Sequence, residues 1–458
     1  MAFVDRSPDP DLPVSQTRIK TGGLALWPLI VATFFMVSGG TYGTEDIVHG
    51  AGYGGGILIL LITPTLWSLP TALMIGELAS ALPAEGGYYV WVRHAMGNFW
   101  GFQEAWLSLV ASIFDMAIYP TLFVTYLVRL FPWFAVDRRG IWVGVAVVAA
   151  CAVLNLAGIR VVATTSIWLF FLLSSPFVAI TLLAFIMPGS LANAVTTPTT
   201  SHIDIVGGLL VAMWNYMGWD NASTIAGEVE RPQQTYPRAM LAAVALVAAS
   251  YVMPIAAVSL TKLSPTAWET GSWAEIAGLL GGPLLRAALA LGGMMSAFGM
   301  FNALVLSYSR LPYAMALDGM LPTAFARTTR RSGVPWLSVI VLATAWACCL
   351  GLGFERLVTI DILIYGGGLM LEFVALAVLR FSQPDLPRPF KVSGGKTGAV
   401  LLGLCPLLML GFALVESGSE RILGMPALVF GAILVAAGPV AYGVSWLLRP
   451  KGLRVEAD

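Results

Sequence analysis

The chain has 458 residues, of which 58% are hydrophobic and only 11% are charged, and its mean hydropathy is +0.81. About 25% of the residues of a soluble globular domain are charged, so this composition excludes the soluble classes and indicates an integral membrane protein. The 25 basic and 25 acidic residues leave no net charge, which argues against a nucleic-acid-binding surface.

Apolar runs of about 20 residues, the length of a membrane-spanning helix, recur along the chain. They predict an all-α protein with twelve transmembrane helices. The predicted helices cover residues 24–49, 55–82, 98–130, 141–157, 162–187, 204–226, 237–261, 284–316, 335–353, 357–380, 398–416 and 424–448.

Polar segments at 1–23 and 449–458 flank these helices and are predicted to be tails. Most of the 25 lysines and arginines lie in the tails and in the loops on the same side of the membrane. Because positive charge favours the cytoplasmic side, both termini are predicted to be cytoplasmic, in a multi-pass protein of the plasma or inner cell membrane.

The first and sixth predicted helices each contain an interruption. Ser38-Gly39-Gly40 and Gly43 interrupt the first, and the run 215–220 interrupts the sixth. Backbone unwinds inside a membrane where it lines a cavity or packs against protein, and paired interruptions of this kind mark transporter sites. The alternative is that the glycines only allow close helix packing. We favour a site, with substrate-binding candidates Ser38, Gly39, Gly40, Tyr42, Trp214, Asn215, Trp219 and Asp220.

Two adjacent acids, Glu45 and Asp46, follow the first interruption. Neighbouring residues on a helix point about 100° apart, so only one of them is expected to face a site. Asp46 shares a helix face with Tyr42 and is the favoured substrate-binding residue. Glu45 shares a face with His49 and is a candidate for gating or for pairing with His49. The alternative is that both acids are solvated in an outer vestibule.

Further acids lie inside apolar runs, where ionisable groups are costly and often functional. Asp115 is midway along the third predicted helix, and Tyr365 and Glu372 share one face of the tenth with Asp361. Desolvation favours the protonated carboxyl, so Asp115 and Glu372 are proton-coupling candidates, and Asp115 and Tyr365 are also substrate-binding candidates. The alternatives are that Asp220 only caps a helix and that Glu372 is a packed, hydrogen-bonded glutamate.

At the predicted cytoplasmic exit of the sixth helix, Glu228 and Glu230 with Arg231 and Arg238 form a candidate gate or loop clamp that pairs and unpairs, and Glu228 and Arg231 are its main candidates. The four cysteines lie in apolar runs without metal-ligand spacing. The apolar runs also contain no pair of a nucleophile and a base. The sequence therefore predicts no metal, no cofactor and no enzyme activity.

Several stretches carry a family resemblance. These are SGGTYGTED (38–46), LPAEGGYYVWV (82–92), FWGFQEAW (99–106), FDMAIYP (114–120), SSPFVAI (174–180), WNYMGWDNASTIAGEVERPQQTYPRA (214–239) and LEFVALAVLR (371–380). They span most of the chain from the first to the tenth predicted helix. In them the chain resembles the amino acid–polyamine–organocation superfamily, and within it the branch of plant-type polyamine uptake and L-type amino acid transporters.

This resemblance implies a LeuT-like five-plus-five inverted repeat with the first and sixth helices unwound, and alternating access coupled to H⁺. The first repeat would be 24–187, the second 204–380, and the accessory helices 398–448. The substrate would lie between the unwound segments, beside the third, eighth and tenth helices. The chain departs from relatives in having no lysine in its fifth helix, and Thr125 where plant relatives have a second acid.

The excess of acids over bases in the predicted site favours a polyamine such as putrescine or spermidine, or a cationic amino acid. The alternatives are a neutral amino acid permease, since unwound amides suit a carboxylate, and a receptor that binds such ligands without transporting them. The expected partners are the small-molecule substrate and the lipid bilayer. Neither a nucleic acid nor an obligate protein partner is expected.

Overall fold

A computed structural model of the chain describes residues 24–84, 86–192, 204–350, 354–416, 421–422 and 424–448. The predicted tails, 1–23 and 449–458, lie outside the described residues. The helices in chain order are α1 (Leu26–Val37), α2 (Glu45–Thr63), α3 (Leu69–Ala81), α4 (Gly87–Met96), α5 (Asn98–Leu130), α6 (Arg139–Leu156), α7 (Ile159–Ile186), α8 (Ile205–Asn215), α9 (Pro232–Ser259), α10 (Trp273–Leu317), α11 (Trp336–Cys348), α12 (Phe354–Ser382), α13 (Gly395–Leu402), α14 (Leu404–Glu416) and α15 (Ala427–Leu448). Strands β1 (Arg421–Ile422) and β2 (Met425–Pro426) form a short antiparallel pair in which Arg421 is opposite Pro426.

The described residues contain nine helical segments with the length and apolar composition needed to cross a bilayer. Two further apolar helices, α1 and α11, are shorter, with 12 and 13 residues. The predicted all-α, multi-pass membrane architecture is confirmed by this pattern. The count of twelve spans and the division into two repeats stay predictions.

Glycines account for the main differences between the predicted and observed helices. The expected loop between the first two predicted helices is absent, since α2 bends only at Gly52, with φ 65° and ψ 178°. Helix α10 begins well before the predicted residue 284 and bends at Gly282, with φ 76° and ψ −170°. Glycine adopts such angles without steric cost, so hydrophobic spacing alone does not reveal whether a bend or a loop lies there. The predicted eleventh helix is divided between α13 and α14 at Gly403.

The interior is formed by long helices that cross near the middle of the bundle. Helix α5 packs against both α10 and α12, and α1 packs against α7, α9 and α10. Most side chains of α5 and α10 are buried, including acids and tyrosines. Two short core elements, α1 and α8, therefore end against long helices that carry polar groups.

The two ends of the bundle are held by different contacts. At one end, called here the Leu24 end, the Leu24 amide donates to the Glu228 carbonyl at 2.8 Å, and the Glu230 amide donates to the Leu24 carbonyl at 3.0 Å. At the opposite end, called the Arg129 end, the Arg129 guanidinium pairs with Glu269 at 2.8 Å. Access to the interior from either side requires such contacts to open.

A buried ion cluster fastens α3 to α12 and to the loop that follows α12. Both carboxylate oxygens of Glu77 accept hydrogen bonds from Arg380 at 2.6 Å, and Arg388 lies 3.2 Å from the same carboxylate. The Val392 amide donates to it at 2.8 Å. Since the side chains of Glu77 and Arg380 are only 0% and 3% exposed, each charge depends on the other for compensation.

Replacing Glu77 with glutamine is therefore expected to destabilise the protein. Two guanidinium groups lose the buried negative charge that compensates them, and removing one partner of such a pair costs about 3–5 kcal/mol. Thermal unfolding in detergent, followed by tryptophan fluorescence, should show a clearly lower Tm. Asp385→Asn, an exposed change in the adjoining loop, is the control and should leave Tm unchanged. Equal Tm values for Glu77→Gln and the wild type would contradict this role of the cluster.

Candidate functional site

The backbone leaves the α-helical conformation at both predicted interruptions. Helix α1 ends at Val37, and helical structure resumes only at Glu45. Gly40, Gly43 and Gly218 adopt positive φ angles of 86°, 88° and 86°. After α8 the chain continues as 3-10 turns at Trp219–Thr224 and Ala226–Glu228, so the predicted helix over 204–226 is α-helical only as far as Asn215.

The two interruptions are bonded directly to each other. The Asn215 side-chain amide donates to the Gly43 carbonyl at 3.0 Å, and Tyr251 donates to the Asn215 carbonyl at 2.7 Å. Gly218 packs so closely on the Met36 carbonyl that a β-carbon at this position would overlap it. Asn215, a predicted substrate-binding residue, thus joins the two unwound segments.

A narrow cavity with free space for about one water molecule, called here the aspartate cavity, lies where the interruptions meet α5, α10 and α12. Its lining residues are Met36, Val37, Asp115, Tyr119, Trp214, Met217, Gly218, Asn221, Tyr308, Asp361 and Tyr365.

Three aspartates converge on the cavity from three parts of the chain. Asp115, Asp220 and Asp361 are 7%, 2% and 3% exposed, and Asp361 is close enough to interact electrostatically with the other two. Asp115 and Asp361 line the cavity directly. Asp220 reaches its edge by accepting a hydrogen bond from the Tyr365 hydroxyl.

Tyrosines hold two of these aspartates, Asp115 and Asp220, in place. Tyr119 donates to Asp115 at 2.7 Å, and the Tyr308 hydroxyl lies at 3.4 Å from the other oxygen of Asp115. Tyr365, besides donating to Asp220, accepts a hydrogen bond from the Gly218 amide at 3.0 Å. The lining contains no lysine, arginine or histidine among the described residues. Because a buried carboxylate needs a compensating charge, the cavity suits a cationic ligand.

Aromatic rings complete this environment. The Trp214 ring lies beside Tyr119, with 6.3 Å between ring centroids. Such rings attract an ammonium group through their π faces, in addition to the carboxylates. Trp219, also predicted to bind substrate, is 0% exposed, and its indole donates to the Tyr216 carbonyl at 2.8 Å. It therefore packs behind the interruption and does not line the cavity.

The predicted candidates of the first interruption lie outside the cavity lining, to which α1 contributes Met36 and Val37 instead. The Ser38 hydroxyl accepts a hydrogen bond from the Gly40 amide at 3.1 Å. Ser296 donates to the Gly39 carbonyl at 2.5 Å. The polar groups of this segment are thus engaged in holding the unwound backbone.

Tyr42 also lies away from the cavity. Its hydroxyl donates to the Leu289 carbonyl at 2.9 Å, and its ring packs on Tyr126 and Phe177, with centroids 5.0 and 4.7 Å away. These contacts separate the first interruption from the Arg129 end.

The two adjacent acids after α1 take different positions, and neither lines the aspartate cavity. Asp46, the favoured one, accepts a hydrogen bond from Thr270 at 2.7 Å, toward the Arg129 end. Glu45 is 0% exposed and accepts hydrogen bonds from the Tyr126 hydroxyl and from the Gly271 amide, the latter at 3.1 Å. It also lacks the expected contact with His49, which bonds the Trp268 carbonyl instead. The position of Glu45 between α2, α5 and the loop before α10 fits its predicted gating role.

The gating pair at the Leu24 end differs from the prediction. Glu228 pairs with Arg310 of α10 at 3.2 Å, with side chains 5% and 2% exposed. Arg231 is exposed at the start of α9 and forms no ion pair within the described residues. Sequence neighbourhood indicated Arg231 and Arg238, whereas the tertiary fold supplies a partner for Glu228 that is 82 residues away.

Sequence reasoning missed Asp361, Tyr119 and Tyr308 as cavity residues. Asp361 precedes Tyr365 by one helical turn, and Tyr119 follows Asp115 by one turn, so same-face spacing was an available signal for both. No local signal marks Tyr308 within the apolar α10. The predicted proton-coupling residue Glu372 lies beside Glu104, outside the cavity lining.

Comparison with known proteins agrees with these features. A family model described as amino acid permease matches residues 30–436. A probable polyamine transporter of Arabidopsis thaliana is 34% identical over 433 residues, covering 93% of this chain and 88% of the relative. Polyamine transporter PUT1 of Oryza sativa subsp. japonica is 33% identical over 426 residues, covering 93% and 80%. Polyamine transporter RMV1 of Arabidopsis thaliana is 31% identical over 428 residues, covering 93% and 87%.

Gly218→Ala tests the contact between the two interruptions. Alanine at a left-handed φ costs about 1–2 kcal/mol, and its methyl group would additionally overlap the Met36 carbonyl. Gly189→Ala is the matched control, because Gly189 also has a positive φ but has open space around it. We expect Gly218→Ala to lower the Tm in detergent by several degrees more than Gly189→Ala. Equal decreases would show that the interruptions do not depend on this close approach.

Proposed function

Because this chain belongs to the amino acid permease family, we propose that it is a secondary transporter that imports polyamines and binds them in the aspartate cavity. The family and the relatives named above are transporters, not enzymes, and the relatives carry the name polyamine transporter. The observation that carries the proposal is the convergence of Asp115, Asp220 and Asp361 on a cavity whose described lining has no basic side chain.

The carboxylates favour an amine with more than one ammonium group over an amino acid. An amino acid needs free donors for its carboxylate, and an unwound helix supplies these through its amides. Here the Gly40 amide bonds the Ser38 hydroxyl, the Gly43 amide bonds Glu45 at 2.7 Å, and the Gly218 amide bonds Tyr365. With these amides engaged, the cavity offers acceptors for ammonium groups and few donors for a carboxylate.

An organic cation also fits better than a metal ion. Among the residues that the structure describes, no group of three or more histidine, cysteine, aspartate or glutamate side chains is arranged to hold a metal. Asp115 and Asp361 line the cavity together with the aromatic rings of Tyr119 and Trp214, and Asp220 lies at its edge. Carboxylates beside aromatic and apolar side chains suit the ammonium groups and methylene chains of a polyamine.

The transport cycle follows from the two closed ends of the bundle. We infer a LeuT-like inverted repeat with both termini cytoplasmic, so that the Leu24 end faces the cytoplasm and the Arg129 end faces outward. Glu45 with Tyr126 would close the outer side, and Glu228 with Arg310 the inner side. A membrane potential that is negative inside contributes about 2.3 kcal/mol per charge per 100 mV to cation entry. The coupling ion in this proposal is H⁺, with Asp115 and Glu372 as candidate carriers.

Asp115→Asn should weaken polyamine transport without unfolding the protein. Loss of one buried charge partner costs about 2–5 kcal/mol, which corresponds to at least a tenfold rise in the putrescine concentration needed for half-maximal uptake. Radiolabelled putrescine uptake into proteoliposomes with an inward proton gradient measures this effect. Asp385→Asn, in an exposed loop, is the matched control and should transport normally.

The same assay separates the competing substrates. Arginine and alanine are tested beside putrescine, as substrates and as competitors. Uptake of arginine without putrescine would assign a cationic amino acid. If alanine enters while putrescine neither enters nor competes, the polyamine proposal is wrong, and the chain is a neutral amino acid permease. Binding without flux would identify a receptor.

Exchanging the charges of Glu228 and Arg310 tests the proposed inner closure. Glu228→Gln and Arg310→Gln each leave one buried charge uncompensated, so each should reduce putrescine uptake severalfold. The double variant Glu228→Arg, Arg310→Glu should recover much of the activity, because contacting residues are coupled by about 0.5–3 kcal/mol. Effects that simply add, without recovery in the exchanged pair, would show that the two side chains do not act together.

A further inference from the structure

A second pair of buried acids lies outside the aspartate cavity. Glu104 on α5 is 0% exposed, and Glu372 on α12 is 1% exposed. Neither lines the cavity. Helix α12 approaches α5 closely at Gly368, one turn before Glu372, where a β-carbon would lie 3.4 Å from a Glu104 oxygen. The two glutamates are near enough to interact electrostatically.

The hydrogen bonding of this pair is incomplete. One oxygen of Glu104, Oε1, accepts a hydrogen bond from the Ser108 hydroxyl at 2.8 Å. Within the described part of the chain, Oε2 of Glu104 and Oε2 of Glu372 are both buried without a hydrogen-bond partner. Burying two hydrogen-bond acceptors without donors raises the free energy of the folded protein, and two neighbouring negative charges would raise it further.

Among the residues that the structure describes, no basic side chain acts on these two glutamates. The titratable groups that act on the glutamates are Tyr88 from α4 and Asp220 from the turn after α8. Tyr365, on α12, interacts with Glu372, and Tyr308 of α10 lies toward Tyr88. The nearest arginine along α12, Arg380, is two turns away and is bonded to Glu77.

We propose that Glu104 and Glu372 together bind the proton that this transporter carries, at a site separate from the substrate cavity. A bound proton turns one carboxyl group into a donor, removes one of the two negative charges and takes up no volume. A metal ion or an ammonium group would need space beside oxygens that are fully enclosed. The inference rests on the proposed function in one respect, namely that the chain transports a polyamine.

Asp220 links this proton site to the substrate. It interacts electrostatically with both glutamates, and Tyr365 bonds it at the edge of the aspartate cavity. A substrate ammonium beside Asp220 offsets that negative charge and so changes the affinity of the pair for its proton. By linkage, the proton has the same effect on the substrate, so the occupancy of either site changes the affinity of the other.

Glu104→Gln and Glu372→Gln test the site, because glutamine keeps the shape of a protonated glutamate but does not titrate. Proteoliposomes with a trapped pH-sensitive dye report proton movement during net putrescine transport. Counterflow of labelled against unlabelled putrescine reports substrate binding and carrier movement in the same preparation. We expect the counterflow rate of each variant to stay within about twofold of the wild-type rate. The rate of proton movement should fall at least about tenfold below that of the wild type. Glu416→Gln, at an exposed position, is the matched control and should keep both activities.

An infrared difference spectrum between low and high pH gives a readout that needs no substrate. The wild type should show a carboxylic acid C=O band that is missing in the Glu104→Gln, Glu372→Gln double variant. An unchanged band, proton movement that persists in that double variant, or putrescine flux that follows a sodium gradient instead of pH would overturn the inference. Loss of the band in a protein that carries no putrescine would support the proton site and overturn the proposed function.

Discussion

Buried charge is the constraint on which the rest of this structure depends. In a lipid-embedded protein, each ionised side chain must find an opposite charge or take up a proton or a cation. Glu77 meets this requirement with Arg380, and Glu228 meets it with Arg310. The aspartates around the cavity and the Glu104–Glu372 pair have no such protein partner among the described residues. These buried acids thus divide into those that are paired with arginine and those without a basic partner in the described structure.

The unwound backbone segments position the aspartates that have no basic partner. Because α1 stops at Val37 and α8 at Asn215, their ends meet in the middle of the bundle, where the Asn215 side chain bonds the Gly43 carbonyl. Continuous helices would satisfy their own amides and present only side chains. The interruptions instead place Asp220 and the Gly218 amide within hydrogen-bonding distance of Tyr365 on α12. The unwound segment after α8 and helix α12 therefore contribute to the same site.

Substrate and proton sites that are adjacent but distinct give a simple physical basis for coupling. In the proposed arrangement Asp220 stands between them, near the aspartate cavity on one side and the two glutamates on the other. A charge added at either site alters the electrostatic free energy at the other through a low-dielectric interior, where such effects are strong. No large rearrangement is needed to transmit the effect, since the groups already interact in one conformation.

The sequence by itself determined the all-α membrane class, the positions of both interruptions, the polar residues Asp115, Asp220 and Tyr365 of the cavity region, and the transporter family. These follow from local composition, from glycines within apolar runs, and from motifs that are continuous in the chain. Only the tertiary structure decided that Asp361 and Tyr308 join the cavity, that Trp219 and Ser38 do not line it, and that Arg310 is the ion-pair partner of Glu228. Helical spacing tells which residues share a face of one helix. It does not tell which face of another helix packs against it, because that depends on how distant segments pack together in three dimensions.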